Sequence, residues 1–304
     1  MNATIQTVSF NGLFANDVVV QVHISTGLPS VTIVGLASKS VAESKERVRA
    51  ALSNIGLSFP AKRISVNLSP AGMLKEGAHY DLPIALAIMV AMGALPQDYF
   101  DDVIILGELS LDGSILSVPG VLLAAIAASD KDLSLICPES NGSEAVWAGD
   151  LKVIAPPNLL ALCNHLRGLQ PIAYPVAKLS KPESQKIDMS DIKGQETAKR
   201  ALEIAAVGAH NVLMIGPPGA GKSMLAARMK NILPELSAKE ALTITMIHSI
   251  NGTLPDQGLV SNRPFRDPHH SASMAALVGG GHKSKPGEVS LAHNGVLFLD
   301  ELPE

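Results

Sequence analysis

The chain has 304 residues, room for two domains at roughly 100–200 residues each. With 47% hydrophobic, 17% charged and only 3% aromatic residues, its cores must be built from Ala, Val, Ile and Leu, which suits an α/β architecture. Net charge is −4, but residues 1–165 carry 9 basic and 15 acidic side chains, net −6, while residues 166–304 carry 15 and 13, net +2, too small a bias to argue for nucleic acid alone. Two cysteines, Cys137 and Cys163, form no disulfide framework and no CxxC motif, so a reducing compartment fits. Residues 1–10 lack a basic region and a signal-like apolar run. The most apolar stretches, Leu82–Leu95 and Leu116–Ala128, fall short of the roughly 20 residues of a spanning helix and read as buried helices. A cytoplasmic protein with no membrane partner is expected.

In chain order, residues 3–36 alternate apolar and polar and read as strands, with turns at Asn11-Gly12 and Gly27-Leu28-Pro29. Residues 38–55 read as an amphipathic helix ending at Gly56, with Val41, Val48, Ala51 and Leu52 on its apolar face. Ile64–Leu68 is a strand, Leu82–Met92 a helix and Val103–Leu106 a strand. Leu109–Ile115 is a hairpin around Asp112-Gly113, followed by a helix over Val121–Ala128 and a strand over Leu133–Cys137. From about Arg167 to Met189 the pattern dissolves into a polar run punctuated by Pro171, Pro175 and Pro182, a linker. The expected organisation is a domain over 1–165, a linker over 166–189 and a second domain over 190–304.

The second domain carries the chemistry. Asn211–Ile215 reads as a short buried strand leading into Gly216-Pro217-Pro218-Gly219-Ala220-Gly221-Lys222-Ser223, which matches G-x-x-x-x-G-K-[ST] at every fixed position, and a helix over Met224–Leu233 follows. Glycines let successive backbone N–H groups wrap an anion, and the helix adds its positive end. Lys222 supplies a point charge for the β/γ-phosphates of ATP, and the Ser223 hydroxyl one ligand for Mg2+. Farther on, Val296-Leu297-Phe298-Leu299 is an apolar run ending in Asp300 and Glu301, with Asp300 77 residues after Ser223. Such a run is expected to be buried on both faces of a parallel sheet, with its acids at the ligand-binding carboxyl end. Asp300 would then hold Mg2+, and Glu301 would orient and deprotonate the attacking water.

Several segments together resemble a known family. Asp191–Leu202 resembles the adenine-side entry of AAA+ modules, which implies nucleotide contacts at Ile192 and Gly194. Pro264-Phe265-Arg266-Asp267-Pro268-His269-His270-Ser271, Gly279-Gly280-Gly281 and Pro286–His293 look like the magnesium-chelatase-like ATPases, and among them the ComM/YifB group. In the first domain, Gly27–Leu36, Lys75-Glu76-Gly77 with Asp81–Ala85, and Gly107–Gly113 resemble the Lon-protease-like (ribosomal S5-type) domain of that group. The fold class implied is α/β with an α+β N-terminal part: an S5/Lon-like domain followed by a P-loop AAA+ parallel αβα sheet.

The same resemblance implies a ring-forming ATPase, hexameric in the family, that acts on DNA as a helicase or branch-migration motor. Ala78-His79-Tyr80 stands where a Lon-type serine belongs, and no lysine occurs between Leu111 and Asp130 where its base should fall, so the first domain is expected to be a dead peptidase serving as an interaction platform. The chain stops at Glu304, before sensor 1, the arginine finger, the helical lid and sensor 2 of an AAA+ module. An incomplete sheet is therefore expected, with nucleotide binding weakened and hydrolysis and ring assembly impaired. That keeps two alternatives open: a non-hydrolysing nucleotide-binding or interaction fragment, and a chelatase-type remodelling ATPase.

Weaker signals read blandly. His269, His270, His282 and His293 lack metal-ligand spacing and read as loop or interface residues. Gly279–Lys285 reads as either a solvated turn or a loop touching DNA phosphate. Arg47, Arg49, Lys62 and Arg63 read as a solvated basic face, and Trp147 as packing.

Overall fold

The alternating N-terminal run folds as an antiparallel hairpin, β1 (Asn2–Asn11) and β2 (Phe14–Ser25), across the expected turn. In the computed structural model, residues 2–177, 188–254, 258–280 and 285–301 are described, and the chain divides into two units, Met1–Lys178 and Leu179–Glu304. The mixed α/β fold class is as expected.

In the first unit the hairpin is followed by β3 (Ser30–Val34), α1 (Lys39–Ala42), α2 (Ser44–Asn54), β4 (Arg63–Ser69), α3 (Asp81–Ala91) and β5 (Val103–Ile105). Then come β6 (Glu108–Leu109) and β7 (Ile115–Leu116) of the Asp112-Gly113 hairpin, α4 (Val121–Ser129), β8 (Ser134–Ile136), α5 (Gly142–Ala145), β9 (Val153–Ile154) and α6 (Leu159–Leu166). Seven strands form one sheet in the order β3-β4-β2-β1-β5-β8-β9. β2 pairs antiparallel with both β1 and β4, and the remaining neighbours are parallel.

Strand alternation builds two cores, one per face. Ala3, Ile5, Val103, Ile105 and Ile136 join α2 and α3 on one face, while Val8, Ile104 and Leu135 join α4 on the other. α3 is apolar all round and buried at every position but Val90, as such a helix must be.

A buried carboxylate sits in this core. The Asp81 carboxylate, fully buried at the start of α3, accepts from Arg47 Nε at 2.5 Å, Arg47 Nη2 at 3.0 Å and the Leu109 N–H at 3.2 Å. Arg47 Nη2 also donates to the Ser40 carbonyl, so one pair joins α1, α2, α3 and β6. This corrects the reading of Arg47 as part of a solvated basic face: a buried carboxylate must find a cation. Arg49 lies over the Phe59 ring at 5.1 Å, and Lys62 and Arg63 are exposed. Of the expected linker, residues 167–177 lie against the first unit through Ile172, whose N–H donates to His165 Nδ1, and Arg167, which donates to the Ala94 carbonyl. Residues 178–187 lie outside the described residues.

The second unit comprises α7 (Glu196–Gly208), α8 (Lys222–Ile232), α9 (Ala238–Asn251), β10 (Phe265–Arg266), α10 (Met274–Val278), β11 (Gly279–Gly280), β12 (Lys285–Pro286), α11 (Glu288–Leu291) and β13 (Val296–Leu297). α9 opens with a reciprocal capping box between Ser237 and Glu240. A small core of Ile192, Leu202 and Leu225 gathers Met189, Ala198, Met214, Met229 and Ile232.

Two expectations fail here. Asn211–Ile215 is not a buried strand: Leu213 is 73% and Ile215 89% exposed, and only Met214 reaches the small core. An apolar run becomes a buried strand only when a neighbour pairs with it, and among the described residues none does. The run before Asp300 is likewise half-buried, because among the described residues β13 has a partner, β10, on one edge only. The parallel sheet is thus reduced to one pair among the described residues.

Replacing Arg47 with Leu strands the Asp81 carboxylate in the core and should cost about 3 kcal/mol. The check is urea unfolding of the full chain, where the transition of the first unit should move to lower urea; an unmoved midpoint would show the pair to be dispensable.

Candidate functional site

The phosphate loop turns into α8 through two left-handed residues, Gly219 at φ 76° and Gly221 at φ 85°. A Cβ on either would meet no neighbour within 4 Å, so the conformation, and not space, calls for glycine. α8 starts at Lys222, and its unpaired N–H groups and positive end face the loop. The Lys222 ammonium donates to the carbonyls of Gly216 at 3.0 Å and Pro217 at 3.2 Å, and Pro218 and Ala220 complete the loop. One residue on, the Ser223 hydroxyl donates to Asp300 Oδ2 at 3.3 Å. The two residues read from sequence as Mg2+ ligands therefore stand side by side. A hydroxyl and a carboxylate are the hard oxygen donors that Mg2+ takes, and a Gly-rich loop at a helix start suits a polyphosphate, so the residues present fit both groups.

Parallel pairing brings the acids to this place. β10 and β13 pair Phe265 with Val296 and Arg266 with Leu297, and the Phe298 N–H extends the ladder to the Arg266 carbonyl at 2.9 Å. The Phe265 and Phe298 rings stack at 6.5 Å. Arg266 forks onto Glu288 at 2.5 and 2.7 Å, which holds that carboxyl below its usual range and anchors β10 to α11. Arg263 donates to the carbonyls of Pro234 at 2.6 Å and Asn294 at 2.7 Å, fixing the approach to both strands. Where they enter the pair, a Cβ on Gly295 would stand 2.1 Å from the Pro264 carbonyl oxygen, so only glycine lets them close.

Beyond β13, the Asp300 carboxylate accepts from the Glu301 N–H at 3.1 Å, and the Glu301 carboxylate faces His270 Nδ1 at 3.2 Å. His270 is a site residue that the sequence analysis did not assign. No local pattern links it to Glu301; only the strand register does. His269 Nδ1 bonds the Ser271 hydroxyl at 2.8 Å. Among the described residues no three His, Cys, Asp or Glu side chains gather as a metal site. His282 lies outside the described residues, as does the whole of 281–284 in the Gly279–Lys285 stretch read as either a solvated turn or a DNA-contacting loop.

On the other side, Ile192 is buried against Leu202 and Leu225, so its side chain supports the turn from within. Gly194, at φ 69°, is exposed on that turn. Gln195 follows and donates through Nε2 to the Ala220 carbonyl at 3.2 Å, which ties the turn to the phosphate loop.

In the first unit, of Ala78-His79-Tyr80, read as standing where a peptidase nucleophile belongs, His79 and Tyr80 are buried and Ala78 is partly buried. His79 Nε2 donates to the Val8 carbonyl at 3.0 Å and its ring packs on Phe10. Burial pulls its pKa down to about 4, so it is neutral at ordinary pH.

Comparison with known proteins places these features. Residues 188–304 match the family described as magnesium chelatase, subunit ChlI, and residues 20–141 match a second profile described as subunit ChlI of Mg-chelatase. YifB of Escherichia coli is 45% identical over 96% of this chain and 58% of its own length. Competence protein ComM of Haemophilus influenzae is also 45% identical, over 96% of this chain and 58% of its own. Lon protease 2 of Bacillus subtilis is 32% identical over 41% of this chain and 25% of its own length. The chain thus spans less than two thirds of the YifB and ComM relatives it matches.

Gly295→Ala should drive β10 and β13 apart and cost the second unit about 2 kcal/mol or more. Hydrogen exchange at the Val296 and Phe298 amides reads this directly; unchanged protection would contradict the packing argument.

Proposed function

The chain belongs to the magnesium-chelatase-like group that contains YifB and ComM, and from that premise we propose that its second unit binds and hydrolyses ATP. The observation that carries the reading is the Ser223–Asp300 contact at 3.3 Å beside the Lys222 ammonium. In this reading the loop amides of Gly216–Ser223 and the positive end of α8 attract the phosphates, and Lys222 turns its charge to their β/γ oxygens. Ile192 and Gly194 form the adenine side. Ser223 and Asp300 hold Mg2+, which when bound offsets the charge on the phosphate oxygens. Glu301 orients the attacking water and takes its proton.

The proposed client is DNA, moved by a ring of subunits in the manner of a helicase or branch-migration motor. The name of the Haemophilus relative refers to competence, and the second half of the chain carries the positive share of the charge. The first unit serves as an interaction platform without peptidase activity, since buried His79 offers no nucleophile and α4 no lysine. Cys137 and Cys163 are free, which suits the cytoplasm. One observation favours a second reading, a nucleotide-binding protein without turnover: the segment feeding the phosphate loop, Asn211–Ile215, pairs with no strand among the described residues.

ATP binding and turnover by the full chain, with and without DNA, test the proposal. Lys222→Ala should weaken ATP binding about ten-fold or more, the worth of a charged hydrogen-bonding group. Glu301→Gln should bind ATP normally and turn over about a hundred-fold more slowly. DNA binding should weaken linearly with the logarithm of salt. Binding without turnover in the unmodified chain would favour the second reading, and unimpaired turnover in Glu301→Gln would remove the base.

A further inference from the structure

The seven-stranded sheet of the first unit has two edges, and they are built differently. β9 closes one with two residues, Val153 and Ile154, both buried. β3 closes the other with five, Ser30–Val34, and among the described residues β4 is its one strand neighbour. The parallel register pairs Ser30 with Arg63, and the Ser30 N–H donates to the Lys62 carbonyl at 3.3 Å. Backbone groups alternate sides along a strand, so Ser30, Thr32 and Val34 turn theirs toward β4. Val31 and Ile33 each turn an N–H and a carbonyl to the open edge. Their side chains pack on the core, while Ser30, Thr32 and Val34 are exposed.

Proteins blunt open edges with charge, proline or short length. Here Pro29 guards the start, but the strand itself is Ser-Val-Thr-Ile-Val, and no charged residue occurs from Ile24 to Ser38. Leu28, 88% exposed, and Leu36 add apolar surface at its two ends. The cations stand just outside this neutral stretch. Lys62 and Arg63 are exposed at the Ser30 end and Lys39 beyond the Val34 end, and among the described residues none of the three forms an ion pair.

We propose that β3 is a docking edge that takes one further strand from a partner protein: an extended, uncharged, β-branched segment with acidic residues at both ends. The proposal rests on the reading of the first unit as an interaction platform and is independent of ATP turnover. The open groups of Val31 and Ile33 supply the main-chain hydrogen bonds, and alternate side chains of the added strand lie beside Leu28 and Val34. Its acidic ends meet Lys62 and Arg63 on one side and Lys39 on the other. A second copy of β3 fits less well. Antiparallel self-pairing would bring Lys62 and Arg63 of each copy to the Lys39 end of the other, cation against cation.

The probe is a fluorescein-labelled, end-capped peptide, Asp-Asp-Thr-Val-Thr-Val-Thr-Asp-Asp, titrated against the full chain. It should bind saturably, about ten-fold more tightly than the same peptide with lysines at its ends. N-methylation of alternate backbone amides should abolish binding. Val31→Pro removes an open-edge N–H that bonds nothing in the sheet, and should also abolish binding. Val31→Ala loses the packing but keeps the N–H, and should bind like wild type. Hydrogen exchange locates the site: in the free chain the Val31 and Ile33 amides should exchange faster than those of Thr32 and Val34, and the peptide should slow both about ten-fold or more. No saturable binding, equal binding of the lysine-ended peptide, or unchanged exchange at Val31 and Ile33 would overturn the proposal. Protection of those amides that rises with protein concentration alone would overturn it in favour of a second copy. Binding that protects amides elsewhere on the first unit would overturn β3 as the edge and leave the platform reading in place.

Discussion

The hydroxyl of Ser223 and the carboxylate of Asp300, 77 residues apart in the chain, meet at 3.3 Å, and the rest of the second unit is arranged to permit that meeting. One partner depends on the first turn of α8, which two left-handed glycines aim. The other depends on the register of β10 and β13, which Gly295, the Phe265–Phe298 stack and the Arg266–Glu288 fork fix from three sides. Neither support is large. The small core beneath the loop is built on Ile192, Leu202 and Leu225, and β13 has one strand neighbour among the described residues, so the site rests on a few polar contacts and close approaches more than on buried area.

The first unit is built on the opposite principle. Its seven-stranded sheet separates two apolar cores, and the ion pair of Arg47 with Asp81 reaches into one of them. Of the residues expected at a Lon-like nucleophile position, His79 and Tyr80 are buried, and His79 is sealed against Val8 and Phe10.

Most of the first unit could be read from the sequence, because strand alternation and apolar helices are local signals. The β1–β2 hairpin, the helix over 38–55 (broken once, at Glu43) and the buried α3 all follow from them. The phosphate loop and the acid pair were readable for the same reason: each is a contiguous motif. What escaped was non-local. Arg47 looked like a surface charge because its partner lies 34 residues away on another helix. His270 could not be tied to Glu301 without the parallel register. Asn211–Ile215 misled in the other direction, since an apolar run announces a strand only if a partner strand is there to pair with it. The parallel register is the common thread: it carries the information that local patterns lack.

In the reading proposed above, Ser223 and Asp300 jointly hold one divalent cation against a bound nucleotide. Calorimetric titration of ATP into the full chain, with Mg2+ and with chelator, tests it on wild type, Ser223→Ala, Asp300→Asn and the double variant. Mg2+ should tighten binding to the wild type, either single change should remove most of that gain while affinity in chelator is unchanged, and the double variant should lose little more than either single one. A Mg2+ gain that survives in Asp300→Asn, or losses that simply add, would mean the two side chains are neighbours without a shared ion.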